Sequence, residues 1–347
     1  MTAERSDLAR RIRTLVRDAP GDAARDALLS ELATWQAERI PAYGRLLRRR
    51  PGAALPTDVF RYARIAVHPA REDVRVFRTS GTTHGARGAH PLRDVSLYAE
   101  AALAWASQLL FPDGPDALRL VSLIPSEAEA PDSSLAFMVA RFGERFGELT
   151  TVWRGGALDA EALAAALSGG PVALLGTSFA FVHAEDLLGD QRFALPPGSR
   201  LMQTGGFKGR SREVAPEALR AALGERYGLP ETHVVGEYGM TELGSQAYEG
   251  TLADALRGAP AQPRRYRFPP WVRLATVHPE TLEALPSGER GLLRIDDPIN
   301  LDSVACVQTS DEATLVDGEV VLHGRAPGAR PRGCSLAVEE ALGSEAP

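Results

Sequence analysis

Lysine is almost absent from this sequence: of 39 Lys+Arg residues only Lys208, in "QTGGFKGRS", is lysine. Arginine supplies positive charge everywhere else, so the exception asks what an ammonium does there that a guanidinium does not. Cysteine is scarce as well. Two residues, Cys306 and Cys334, in a chain of 347 exclude a disulfide-built scaffold. Excess positive charge is missing, since the net charge is −6; a duplex-binding footprint is thereby excluded, and no nucleic-acid partner is expected. The N-terminus, "MTAERSDLARRIRTLVRDAP", mixes charged and apolar residues and has no uninterrupted apolar core. It shows neither a signal peptide nor a membrane span, and a cytoplasmic location is expected. No His/Cys/Asp cluster has zinc-ligand spacing and no Gly-x-Ser-x-Gly elbow occurs, which excludes metallohydrolase and serine-hydrolase chemistry. Internal repeats and low-complexity tracts are lacking too.

What remains is a chain long enough for one large domain, or for a large domain with a small appendage. Residues 1–55 read as helical: "SDLARRIRTLVRD" and "DALLSELATWQAERI" place Leu, Ile and Trp at helical spacing. "LPTDVFRYARIAVHP" is bounded by proline and reads as extended or turn structure. Then an α/β pattern sets in. Asp94 and Asp159 can cap helices, and the short apolar runs "LRLVSLI" and "PVALLGTS" read as buried strands. "PEALRAALGERYG" opens with Pro216 in its first turn and ends at Gly228, and a strand "HVVG" follows. From Arg273 the character is short β segments with turn signals, including a hairpin at Asp317-Gly318. The fold class expected is α/β, helices packed on mixed β-sheets with a β-rich C-terminal part.

Two stretches carry chemistry. In "FRTSGTTHGARGAH" hydroxyls at Thr79, Ser80, Thr82 and Thr83 surround Gly81, and Gly85 and Gly88 free the backbone that follows. Many donors can converge on a phosphate there without a Cβ intruding, although Ser/Thr/Gly clusters are also ordinary turn material. It is neither a Walker A loop nor a dinucleotide fingerprint. In "VVGEYGMTELGSQ" a strand runs into Glu237, Tyr238, Gly239, Thr241 and Glu242, at the carboxyl end where open α/β sheets hold ligands. Tyr238 can stack on adenine and Glu242 can hold Mg²⁺ among phosphate oxygens. Taken alone, Tyr238 also fits a core position.

"TSGTT", "YGMTE" and "QTSDEATLVDGEVVLHGR" follow one another in an order and spacing that resemble the adenylate-forming superfamily of acyl and aryl ligases. Within it, "TGGFKGRS", "GTSFAFVH" and "ARPRGCSLAVEE" are similar to the LuxE-type acyl-protein synthetases, and the resemblance spans roughly residues 55–342. It implies a large N-terminal-type adenylation core over 1–322 and a short hinge and tail over 323–347 carrying Cys334. It implies ATP and Mg²⁺ as cofactors: Thr79, Ser80, Gly81, Thr82 and Thr83 would wrap the phosphates, and Gly205 and Gly206 would line the adenine pocket. Tyr238 and Gly239 would flank adenine, Thr241 would contact the α-phosphate, and Glu242 would coordinate Mg²⁺. Asp311 would accept both ribose hydroxyls and Arg325 would sit at the hinge. His84 and Arg87 depart from the pattern after the loop.

The chain stops about 22 residues after Arg325, so the resemblance also implies that most or all of the usual mobile C-terminal domain, with its catalytic lysine, is lacking. Lys208 is expected to take over that charge, because an ammonium on a thin stem enters a crowded site that a planar guanidinium does not. Cys334 matches the acyl-accepting cysteine of the LuxE type, where Arg330 and Arg332 could lower its pKa and Gly333 could let the chain approach an adenylate. Cys306, in "SVACVQ", fits a buried apolar residue. Phe179 and Phe181 in "GTSFAFVH" could wall an acyl pocket, though alternating aromatics also fit plain core.

The function expected is ATP-dependent activation of a carboxylic acid, fatty or aryl, as acyl-AMP. Transfer to a thiol follows, to Cys334 and then to a partner reductase or carrier protein. Direct transfer to coenzyme A, a carrier protein or an amine is the enzymatic alternative. A noncatalytic scaffold that binds nucleotide or acyl adenylate is the other.

Overall fold

Short apolar runs framed by capped helices build a parallel sheet, as their spacing requires. The computed structural model describes residues 3–80, 86–114, 118–205, 215–326 and 332–343, with Arg332 described by its backbone alone. Two compact units share the chain. One comprises Met1–Ala104, Met240–Gln246 and Arg267–Pro347; the other comprises Trp105–Gly239 and Ala247–Tyr266.

In the second unit five parallel strands lie in the order Leu149–Thr151, Arg119–Ser122, Val172–Thr177, Arg200–Thr204, Val234–Tyr238. Ala247–Glu249 then pairs antiparallel to the last of them. Val172 and Leu174 join a cluster with Leu163, Phe181, Leu219 and Leu223 from the helices Ala160–Ala166, Ser178–Leu188 and Pro216–Tyr227. The intervening Ala173 and Leu175 are just as buried, so both faces of this strand are covered, which is why its sequence reads as a continuous apolar run. Helix starts follow their caps. Asp159 Oδ1 accepts the Ala162 N–H at 2.9 Å and Thr177 Oγ1 accepts that of Ala180 at 3.1 Å, while Gly228 closes Pro216–Tyr227 with φ of 63°. Asp159→Ala is expected to cost about 1 kcal/mol, measured as a lower urea midpoint at unchanged slope.

One expectation needs correction here. "GTSFAFVH" is not the end of a strand beyond Thr177, because the Thr177 cap starts the helix Ser178–Leu188 at once. Phe179 and Phe181, two residues apart on a helix, cannot wall one pocket as alternating strand residues would. Phe181 is core, and Phe179 stacks on His183 one turn later, at 6.3 Å between ring centroids.

The first unit holds the helices Ala3–Asp18, Asp22–Arg39 and Pro41–Arg49, so the N-terminal segment is helical as its periodicity predicts. Its β-rich part is antiparallel: Arg273–Val277, Arg290–Asp296, Cys306–Val316 and Glu319–Arg325 in sequential order, with Leu55–Pro56 added parallel to the third. The last two strands are joined at Asp317 and Gly318, both with positive φ (53° and 80°), as the Asp-Gly hairpin signal requires. The strand Glu319–Arg325 runs unbroken through the expected boundary at 322/323. Beyond it the helix Arg332–Leu342 buries Ala337, Val338, Ala341 and Leu342 against Tyr43, Leu46, Leu55 and Val304, so this tail belongs to the unit's core. Among the described residues no helix is long and apolar enough to cross a membrane.

Candidate active site

Each unit holds a cluster of the predicted site residues. In the first unit the strands Arg75–Arg78 and Ala89–Leu92 pair antiparallel, Phe77 opposite His90 and Arg78 opposite Ala89. They lead into and out of the hydroxyl-rich loop, and its neck is tied by backbone and side chain together. The Thr79 N–H donates to Gly88 O at 3.0 Å, and the Gly88 N–H donates to Thr79 Oγ1 at 2.9 Å. Arg87 Nε donates to Thr79 O at 2.6 Å. Arg87, a departure from the family pattern in sequence, is therefore the staple of this neck. The neck is tight at Gly88: a Cβ would stand 3.0 Å from Thr79 Cγ2 and 3.4 Å from Glu242 Oε1. The same geometry places the Glu242 carboxylate at the loop's neck, 8% exposed, so residues 163 positions apart, Thr79 and Glu242, come together. Ser80 is exposed.

Asp311 and Arg325 are register partners on adjacent strands, with Arg325 Nε 3.6 Å from Asp311 Oδ1. Arg325 is largely exposed while Asp311 is not, so this ion pair leaves the arginine able to swing away at little cost.

In the second unit Thr204 and Glu237 face each other at the carboxyl ends of neighbouring parallel strands. The Thr204 hydroxyl donates to Glu237 Oε2. Burial pushes the Glu237 carboxyl up to about 7, against the opposing pull of that hydroxyl. Gly205 follows with φ of 71°, and among the described residues nothing lies within 4 Å of where a Cβ would be. Its carbonyl accepts from Ser178 Oγ at 2.6 Å, and Ser178 in turn accepts from Gln203 Nε2 at 2.8 Å. Tyr238 is half-buried with its ring against Tyr266, 6.0 Å between centroids at 61°. Gly239 is exposed. Gly81, Thr82, Thr83, Gly206 and Lys208 lie outside the described residues, as do His84 and Arg330.

The cysteines sit differently from what a nucleophile needs. Cys334, on the helix Arg332–Leu342, is 2% exposed and packs with Val277 and Leu292, beside Leu282 and Ala326. Gly333 does permit a close approach, but to the chain itself: its N–H donates to Pro279 O, and a Cβ would lie 2.7 Å from the carbonyl oxygens of Pro279 and Glu280. Cys306 is core, its thiol pushed up to about 12 by burial. Neither cysteine is in a disulfide.

Among the described residues no three His, Cys, Asp or Glu side chains converge on a metal position. The Glu242 carboxylate at the neck of the hydroxyl-rich stretch still fits Mg²⁺, which is held by one or two carboxylates together with substrate phosphates and water. Sequence reasoning placed Glu237 at the ligand-holding end of its strand without giving it a role, read Arg87 only as a departure from the loop pattern, and passed over His90. Only Glu237 carried a signal, a charged residue inside an apolar strand.

No protein-family model matches the chain, and no curated protein matches it. Solved structures do. A 2-hydroxyisobutyryl-CoA ligase in an open conformation, in complex with 2-HIB-AMP and CoA, matches with a TM-score of 0.63 at 14% identity, over 87% of this chain and 70% of that one. ATP-bound MatB from Rhodopseudomonas palustris matches with 0.52 at 18%, over 74% and 49%. The luciferase-like enzyme from the nonluminescent Zophobas morio mealworm matches with 0.52 at 14%, over 73% and 57%. The chain thus spans about half the length of MatB. At such identities the likeness shows the fold alone, shared over part of each neighbour's length.

Proposed function

We propose that the chain uses ATP to activate a carboxylic acid as its acyl adenylate. A carboxylate oxygen attacks the α-phosphorus, the bond from that phosphorus to the bridging oxygen breaks, and pyrophosphate leaves. The observation that carries this reading is the Glu242 carboxylate at the neck of a hydroxyl-rich loop, in a fold shared with adenylate-forming ligases. Thr79, Ser80, Gly81, Thr82 and Thr83 would hold the phosphates, Thr241 the α-phosphate, and Glu242 Mg²⁺, which when bound would neutralise phosphate charge. Gly205, Gly206, Tyr238 and Gly239 would line the purine, and Asp311 would accept the ribose hydroxyls once Arg325 lets go. Lys208 would supply the cation for the attacking carboxylate or the α-phosphate. The acid proposed is fatty or aryl, from the LuxE-type resemblance. The test is ATP–pyrophosphate exchange over a panel of fatty, aryl and short hydroxy acids, with hydroxylamine trapping of the activated acyl group. Nucleotide binding without exchange on any acid would instead mark a noncatalytic scaffold.

The acyl group then goes to a thiol, and the geometry favours one outside the chain: coenzyme A or a carrier protein's thiol. The burial of Cys334 between Val277 and Leu292 carries that preference, since a thiol in a core cluster meets no adenylate unless its helix shifts. CoA is the thiol bound to the 2-hydroxyisobutyryl-CoA ligase that shares this fold. Self-acylation at Cys334 followed by delivery to a partner reductase is the LuxE-type alternative. Expected are wild-type-like product rates from Cys334→Ala with an external thiol, and an unmodified intact mass after wild type meets ATP and acid. An acyl adduct that Cys334→Ser loses would reverse the order of the two readings.

A further inference from the structure

Thr241 and Glu242 stand on a segment, residues 240–246, that is neither helix nor strand. Its backbone is gripped by side chains far away in sequence. His90 Nδ1 donates to Thr241 O at 2.7 Å. Asn300 Nδ2 donates to Glu242 O at 2.8 Å and to Val304 O at 3.1 Å. Asp297 accepts the N–H groups of Gly244 and Ser245 at 3.0 and 2.7 Å and the Ser245 hydroxyl at 2.9 Å. All three gripping side chains are fully buried. Asp297 and Asn300 belong to the turn "DDPIN" and its continuation, and Gly244 lies flush against it: a Cβ there would stand 2.5 Å from Ile299 Cγ2. Downstream of Glu242 the segment is therefore doubly anchored, by hydrogen bonds and by contact. On its upstream side, at Thr241, the grip shown is that of His90.

The ring is locked by its surroundings. A carbonyl oxygen only accepts, so Nδ1 carries the proton and the neutral ring has a single tautomer. Burial holds the imidazole pKa down to about 4, which keeps that tautomer at neutral pH. Nε2 finds no hydrogen-bond partner among the described residues, and the ring meets Phe60 edge-on at 5.9 Å between centroids. His90 therefore uses one nitrogen, and that nitrogen holds Thr241.

We infer that His90 is a positioning residue for adenylation: its Nδ1–H fixes the Thr241 carbonyl and through it the aim of the Thr241 hydroxyl and the Glu242 carboxylate. The inference rests on the roles proposed above for Thr241 and Glu242. Losing a buried partner that orients a metal-holding residue typically costs about 10–100-fold in metal affinity or activity. An asparagine at position 90 brings an amide N–H close to where Nδ1 lies, whereas glutamine, one methylene longer, carries its amide past it toward the place of Nε2.

The test is ATP–pyrophosphate exchange by wild type, His90→Asn, His90→Gln and His90→Phe, with kcat, KM for the acid, the Mg²⁺ concentration for half-maximal rate and the melting temperature read on each. Gln and Phe are expected to lower kcat about tenfold, to leave KM for the acid near wild type and to raise the Mg²⁺ requirement, while Asn recovers most of the rate. A role in packing alone predicts the reverse order, because Gln and Phe fill the site better than Asn. Should the Phe protein fail to fold, the Asn–Gln contrast still decides. Equal rates for Asn and Gln, with exchange intact in wild type, would overturn the inference and leave the adenylation reading standing. Absence of exchange in wild type on every acid would overturn both.

Discussion

Lys208→Arg loses about a hundredfold in ATP–pyrophosphate exchange while its melting temperature stays at the wild-type value. In the proposed adenylation the attacking carboxylate and the triphosphate are both anionic, and the pyrophosphate leaves with further charge, so that reaction needs a fixed cation near the α-phosphorus. An ammonium is compact, sits on an unbranched stem and turns its three donors freely; a guanidinium is flat, wide and set in a fork. In a chain that writes every other basic position as arginine, a position indifferent to that difference would be expected to carry arginine too. The substitution keeps the charge and changes only the shape. Lys208→Ala removes both and is expected to fall at least as far. Exchange by Lys208→Arg at a rate near wild type would show that Lys208 is a surface charge.

Glu237→Gln makes the protein more stable above pH 7 and leaves it unchanged at pH 4. The carboxyl is fully buried at the end of its strand, and burial raises its pKa to about 7 from an ordinary 4.5, with the Thr204 hydroxyl pulling the other way. Below 4.5 both folded and unfolded chains hold the proton, and the group costs nothing. As the pH rises from 4.5 through 7 the unfolded chain releases the proton while the folded one retains it, so stability falls. Above 7 the deficit levels off at about 3 kcal/mol. Glutamine keeps an oxygen for the Thr204 hydroxyl and never ionises. Urea midpoints at pH 4, 6 and 8 should coincide at the first and separate progressively, the variant ahead. A constant gap between variant and wild type at all three would contradict the assignment. A buried carboxyl with so raised a pKa is the kind of group that clusters at functional sites, and Glu237 directly precedes Tyr238, proposed above to flank the purine.

Local signals in the sequence were the ones the structure matched. Asp159 ahead of an alanine-rich run, Pro216 and Gly228 around a helix, and Asp317-Gly318 between two apolar segments each fix their element through contacts within a few residues. The loop at Thr79 and the carboxylate at Glu242 were legible separately, from residue type and order. What the sequence could not display is contact across distance. Arg87 looks like a misplaced charge until its guanidinium is seen closing the loop on Thr79. His90 in "GAHPL" gives no hint that it holds a carbonyl 151 residues away. "GTSFAFVH" misled because two aromatics separated by one residue suit a strand, and the Thr177 cap outweighs that pattern. Cys334, flanked by glycine and arginines, reads as reactive in sequence, and its packing with Val277 and Leu292 was not visible there.

The most direct measurement follows oxygen. An acid that supports exchange, labelled with ¹⁸O in its carboxylate, is turned over with ATP and hydroxylamine, and the nucleotide product is weighed by mass spectrometry. If the carboxylate attacks the α-phosphorus, its oxygen stays on that phosphorus when the acyl group departs, and AMP gains one ¹⁸O per turnover. Label in inorganic phosphate with ADP as the product, or AMP without label, would contradict acyl-adenylate formation.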